Sequence, residues 1–142
     1  MANIYLAGRF SKKHTLQRVS RSLKEQQHSI TSRWLEGSHK DVTDNALMDL
    51  TDIDRADTVV FLLDEPDAHE RPLQNTLVEL GYALAKEKTV YVLDRLVSTE
   101  IIFLKLPSVR FINDWPELLV RLKQQEAESR RVDEISLPHV PV

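Results

Sequence analysis

Thr58 to Leu63 reads Thr-Val-Val-Phe-Leu-Leu, a run with no charge and one hydroxyl. Successive side chains of a strand point to opposite faces, so a strand of this composition offers neither face to water. It belongs at the centre of a sheet covered on both sides, the situation of parallel strands under helices. Asp57 and Asp64 bracket the run and mark where it leaves the interior.

The rest of the chain alternates around that strand. Residues 3–7 (Asn-Ile-Tyr-Leu-Ala) are short and β-prone, and Gly8 ends them. From Ser11 to Gln27 the period is helical, with Leu16, Val19 and Leu23 at three- and four-residue spacing. Ser29 to Trp34 is expected to be a second strand, followed by a polar loop from Glu36 to Asp41. Asp44 is expected to cap a helix whose apolar stripe is Ala46, Leu47, Leu50 and Ile53, ending near Ala56. Beyond the central strand, Asp64 to Gln74 forms a long loop with Pro66 and Pro72, longer than the usual connection of about 4–6 residues. A helix over Asn75 to Lys86, strands over Thr89–Leu93 and Ser108–Ile112, and a closing helix from Trp115 to about Arg130 complete the domain. No internal repeat or low-complexity segment interrupts this order. The expectation is one domain over residues 1–131 and a C-terminal tail over 132–142 that carries Pro138 and Pro141.

Strand–helix alternation of this kind implies right-handed crossovers and a parallel sheet. The fold class is therefore α/β, a three-layer Rossmann/flavodoxin-like sandwich with a five-stranded parallel sheet. Its binding crevice lies beyond the carboxyl ends of the strands, where the strand order reverses. A chain of 142 residues buries enough surface to need no metal or disulfide. The absence of cysteine excludes thiolate metal sites and thiol nucleophiles. With 19 basic and 22 acidic residues the formal charge is −3, which argues against a nucleic-acid polymer as partner. No apolar run reaches the length of a membrane span, and Met1 to Leu6 does not resemble a signal peptide. The expectation is a cytoplasmic protein.

The fold reading selects which residues share the crevice. Gly8 would let a ligand approach the backbone. Arg9, Ser11, Lys12 and Lys13 would offer donors to an anion at a helix N-terminus, and Phe10 an aromatic face. Neither a GxGxxG nor a GxxxxGK[ST] pattern is present, so this segment also fits a solvated basic turn. Glu79 lies in the apolar stretch Leu77 to Tyr82. In the first turn of its helix it would stay ionised, as a nucleophile must. Thr76-Leu77-Val78-Glu79 equally fits a capping box, in which the glutamate serves its own backbone. Asp49 sits at the edge of the apolar stripe of the second helix, while Asp52, Asp54 and Asp57 are expected to be solvated. The histidines form no HExxH or close pair and are read as surface residues, so no metal site is expected. No G-x-S-x-G elbow is present, which argues against a serine hydrolase.

Three segments in this order resemble the nucleoside 2-deoxyribosyltransferase family and its relatives, the deoxynucleoside monophosphate N-glycosidases. They are Ile4 to Ser11, Asp49 to Val60, and Glu79 to Ala85 with Lys88 to Val92; Ser32 to Gly37 resembles a phage and bacterial subgroup. The resemblance implies that Glu79 attacks the anomeric carbon, that Asp49 positions substrate and handles the proton of the leaving base, and that Tyr5 holds the nucleophilic carboxylate. Gly8, Arg9, Phe10, Ser11 and Asn75 would contact substrate. Two carboxyl groups about 5–5.5 Å apart suit a retaining double displacement. An acceptor base would give transfer and water would give hydrolysis. The resemblance implies no cofactor, a nucleoside or nucleoside monophosphate substrate, and a homodimer or higher homo-oligomer that completes each pocket. Six residues before Glu79, where transferases carry aspartate and monophosphate hydrolases serine, this chain has Leu73, and Asn75 replaces the family's glycine. Three readings follow: deoxyribosyl transfer, hydrolysis of a nucleoside 5′-monophosphate, and a nucleotide sensor without turnover.

Overall fold

The computed structural model describes residues 1–37, 42–67, 73–97 and 100–136. Strands β1 (Asn3–Ala7), β2 (Ser29–Ile30), β3 (Thr58–Asp64), β4 (Thr89–Arg95) and β5 (Val109–Phe111) alternate with helices α1 (Lys13–Glu25), α2 (Val42–Arg55), α3 (Gln74–Ala85) and α4 (Trp115–Ser136). The strands form one parallel sheet in the order β2-β1-β3-β4-β5, the flavodoxin-like order. Every residue of β3 is buried, as its uninterrupted apolar composition requires. Residues of α1 and α4 together line a small apolar cleft on one face of the sheet, and residues of α2 and α3 together line a larger cavity on the other. The core joins both faces through Ile4, Leu6, Phe61, Leu63, Leu16, Leu23, Ile53 and Leu118, all essentially inaccessible.

Helices α1 and α3 end alike. Gln27 and Glu87 have positive φ, 72° and 56°. In each case the next residue's N–H returns to the helix: His28 N to Leu23 O at 3.1 Å and Lys88 N to Ala83 O at 3.0 Å. These are Schellman closures, which usually carry glycine. With three glycines in the chain, they are built here from larger residues at some conformational cost.

The second strand is shorter than the sequence implies. Pairing with β1 stops at Ile4↔Ile30, and Arg33–Leu35 turns into a 3-10 helix. Side chains take over the ladder. Leu6 N–H donates to Ser32 Oγ at 3.1 Å, and Trp34 Nε1 donates to Leu6 O at 2.8 Å. The backbone of β1 is thus satisfied without a strand beside it, and the chain is released to carry Trp34 toward the cavity. Asp44 is not a cap, because α2 begins at Val42 and places it in the first turn, where a carboxylate also complements the helix dipole. The stripe of α2 is buried at Ile53 and Ala56, while Ala46 and Leu47 are exposed. Helix α4 continues to Ser136, into the segment expected to be tail. Helix-favouring residues from Lys123 to Glu128 and an Arg130–Glu126 pair at 2.8 Å sustain it. Pro138 and Pro141 lie outside the described residues.

Ser32→Ala would orphan the buried N–H of Leu6. It should lower stability by about 1–3 kcal/mol, read as a lower denaturant midpoint at unchanged slope.

Candidate active site

At the carboxyl ends of β1 and β3 the chain departs to opposite faces, α1 on one and α3 on the other. A cavity of about 640 Å³ opens there, and Tyr5, Gly8, Arg9, Phe10, Ser11, Asp49, Asn75 and Glu79 all line it. The structure therefore brings together the eight residues to which the family resemblance gives a catalytic or substrate-contact role. Trp34, Asn45, Leu50 and Leu73 also line it.

Helix α3 starts at Gln74, two residues before the threonine of the supposed capping box, and its N-cap position is Leu73. Thr76 is therefore inside the helix and buried. Glu79 stands at the sixth position, in the second turn rather than the first, where it cannot cap that N-terminus. Its Oε2 is buried and has no well-formed hydrogen bond to a described group, and the same is true of Tyr5 Oη. Tyr5 lies in the middle of β1, near enough to Glu79 for each to perturb the other.

Electrostatics correct a second expectation. Burial pushes the Glu79 carboxyl up to about 8; Tyr5 as a neighbouring donor opposes the rise, and the Asp49 carboxylate adds to it. In the empty cavity Glu79 is thus mostly protonated at neutral pH, not ionised, because it lies too deep for the helix N-terminus to compensate its desolvation. Burial, with the charges of Glu79 and Asp49, also drives the Tyr5 hydroxyl far upward, so it remains a neutral donor.

The basic turn is not an open anion site. Arg9 is buried; its Nε donates to Asp64 Oδ1 at 3.1 Å and Asp64 O at 3.2 Å, and its Nη2 donates to Asp64 O at 2.9 Å. Lys12 Nζ lies 3.7 Å from Asp64 Oδ2. Lys13 Nζ donates to Gly37 O at 3.1 Å and stands 5.5 Å from the centre of the Phe10 ring. Neither lysine lines the cavity. Gly8 has a packing reason: a Cβ there would meet Leu16 Cδ1 at 3.0 Å and Leu62 Cβ at 3.5 Å. Phe10 is 70% exposed at the rim.

Asp52 is not solvated. It is fully buried, and it accepts from Arg33 N at 3.0 Å and Arg33 Nε at 2.8 Å. Its spacing of three from Asp49 and four from Ala56 places it on the inward stripe of α2, a signal the sequence contains. Asp54 and Asp57 are exposed, as expected, although Asp54 accepts from Tyr82 Oη and Asp57 from Asn3 N. His28 is buried, not a surface residue: its Nδ1 accepts Ala2 N at 3.1 Å, and burial lowers its pKa. His39, His69 and His139 lie outside the described residues. Among the described residues no group of acidic and histidine side chains could hold a metal, and no helix is long and apolar enough to cross a membrane.

A flavodoxin-like domain with two helix-borne carboxyl groups and a strand tyrosine in its switch-point crevice is laid out as an enzyme for a small molecule. The chain matches the model of the nucleoside 2-deoxyribosyltransferase family over residues 4–101 and belongs to that family. Membership makes it an enzyme of that family's kind. Solved structures that share its fold include two enzymes. One is the CMP N-glycosidase BcmB of Clostridium botulinum, 19% identical with a TM-score of 0.57, covering 86% of this chain and 98% of that one. The other is the 2-deoxyribosyltransferase of Bacillus psychrosaccharolyticus, 22% identical with a TM-score of 0.58, covering 82% and 90%. No curated protein sequence matches the chain.

Two predictions follow from these charges. Arg9→Met strands a buried carboxylate and should cost about 3–5 kcal/mol, whereas pairing it with Asp64→Leu should recover most of that loss; chemical denaturation of the single and double variants measures both. Glu79 has a folded pKa of about 8 against 4.5 unfolded. Its contribution to stability is full below pH 4.5 and is lost as pH rises through 8. Glu79→Gln should therefore gain in melting temperature over the parent as pH rises from 4.5 to 8 and keep that margin above it, by several degrees at about 3–5 °C per kcal/mol.

Proposed function

We propose that the enzyme cleaves the N-glycosidic bond of a 2′-deoxynucleoside and transfers the deoxyribosyl group to another base through a covalent ester on Glu79. The observation that carries this reading is the buried carboxyl of Glu79 on the cavity wall between Tyr5 and Asp49. The Glu79 carboxylate attacks C1′ as the C1′–N bond breaks, and the bonding pair leaves with the base. Asp49, which takes up the proton Glu79 gives away on ionising, passes it to that base. An incoming base then attacks C1′, the ester bond breaks and restores the Glu79 carboxylate, and the acceptor's N–H proton passes to Asp49. Positive charge develops on the sugar in both steps and draws Glu79 toward its ionised form. Tyr5, held neutral by its surroundings, donates to the carboxylate and orients it. Hydrolysis differs only in that water replaces the incoming base.

The charge pattern supports a nucleoside rather than a nucleotide substrate. Arg9 is the one cation among the described lining residues, and its Nε and Nη2 face Asp64. We infer a homo-oligomer as well: Leu47 and Val78, on the two helices that border the cavity, are 60% and 65% exposed, which supports an apolar partner surface.

Incubating the protein with a deoxynucleoside, with and without a free second base, tests the central reading. The expected result is exchange that needs the second base; base release without it gives the hydrolase, and binding without turnover gives the sensor. Glu79→Gln should lower turnover by at least about a thousandfold and retain binding. The plot of kcat/KM against pH should fall as pH rises through about 8, where Glu79 ionises and the two carboxyl groups lose the proton that the leaving base needs. Because Asp49 relays that proton, Asp49→Asn should slow turnover and abolish the fall. A fall that persists in the variant would break the link between these two groups.

A further inference from the structure

Helices α2 and α3 present the same pair of residues to the cavity. Asn45 lies four residues before Asp49, and Asn75 four before Glu79. All four line the cavity. Both helices follow strands whose carboxyl ends form the crevice, so their N-termini stand at its mouth. A four-residue step keeps a side chain on the same helix face and moves it about 6 Å along the axis. Each carboxyl group thus has a carboxamide one turn nearer the mouth.

That spacing matches the substrate proposed above, on which this inference rests. If the carboxyl groups act at C1′, a base attached to C1′ occupies the next layer toward the mouth. There the described wall combines amides with apolar groups. Leu73, at the N-cap position of α3, is buried against the cavity, and Ala46, next to Asn45, lines it too. A carboxamide offers one acceptor and two donors on a planar group, and it can pair with an adjacent donor and acceptor on a base edge. We propose that Asn45 and Asn75 are the base-reading residues: they recognise a nucleobase by a neighbouring donor–acceptor pair on its edge, while Leu73 supplies apolar contact. Because a carboxamide is neutral and can be turned end for end, the pair accepts amino bases and keto bases alike.

The test compares two ligands on each protein: 2′-deoxyadenosine, and the analogue that lacks only the exocyclic amino group. Wild type should prefer the amino compound by about ten- to a hundredfold in kcat/KM. Asn75→Leu and Asn45→Leu should each erase much of that preference, losing about ten- to a hundredfold more turnover on 2′-deoxyadenosine than on the stripped analogue. A folding defect would depress both ligands equally, so the ratio isolates base reading. Equal losses on the two ligands, or a preference left intact in both variants, would overturn the proposal. The same ligand pair is titrated calorimetrically against Glu79→Gln and against Glu79→Gln carrying each asparagine change. Selective binding that depends on the asparagines, without turnover by the wild type, upholds this inference and sinks the proposed reaction. Turnover whose ligand preference ignores the asparagines does the reverse.

Discussion

Arg9 and Asp64 fasten the carboxyl ends of β1 and β3 where the chain leaves the sheet in opposite directions. The pair is buried, and the guanidinium also holds the Asp64 backbone carbonyl. A crevice at this point is a consequence of strand order, but its walls need a tie, since neither departing segment continues the ladder. The tie also sets the electrical character of the cavity. Asp64 engages the positive charge of Arg9 and stands close to that of Lys12, so little of it is directed at Glu79. Desolvation and the neighbouring carboxylate then dominate, and Glu79 rests in its protonated form.

A resting acid is compatible with the chemistry because the charge that ionises it arrives with the reaction. A carboxylate deep in an apolar wall is costly when the site is empty and favourable when an oxocarbenium-like sugar lies above it. This is stabilisation aimed at the transition state rather than at the bound substrate. Asp52 and Arg33 support the arrangement from behind. Their ion pair binds the last turn of α2 to the turn after β2, which fixes the helix that carries Asp49.

Much of this was legible in the sequence. The uninterrupted apolar run of β3 and the regular strand–helix alternation specify the sheet, and the crevice rule then collects Gly8, Arg9, Phe10, Ser11, Asn75 and Glu79; Tyr5 and the role of Asp49 come from the family resemblance. What escaped depends on tertiary partners. Ser29 to Trp34 has the composition of a strand, but Ser32 and Trp34 serve the β1 ladder with side chains, which no local pattern reveals. Arg9 and Asp64 are 55 positions apart, so a basic turn that looks open in sequence closes in space. His28 and Asp52 were assigned to the surface from polarity alone, although Asp52 falls on the inward stripe of its own helix. The ionisation of Glu79 could not be read from residue type, since it follows from depth and from a helix start that sequence places one residue late.

The indole of Trp34, pinned by its N–H to the Leu6 carbonyl at the cavity wall, gives the protein an optical reporter. The chain has one other tryptophan, Trp115, and it lies across the sheet in the cleft between α1 and α4. Emission from the two indoles thus separates by layer: a molecule entering the crevice perturbs one fluorophore and leaves its counterpart silent. With Trp115 replaced by phenylalanine, occupancy of the site becomes visible in real time without a label.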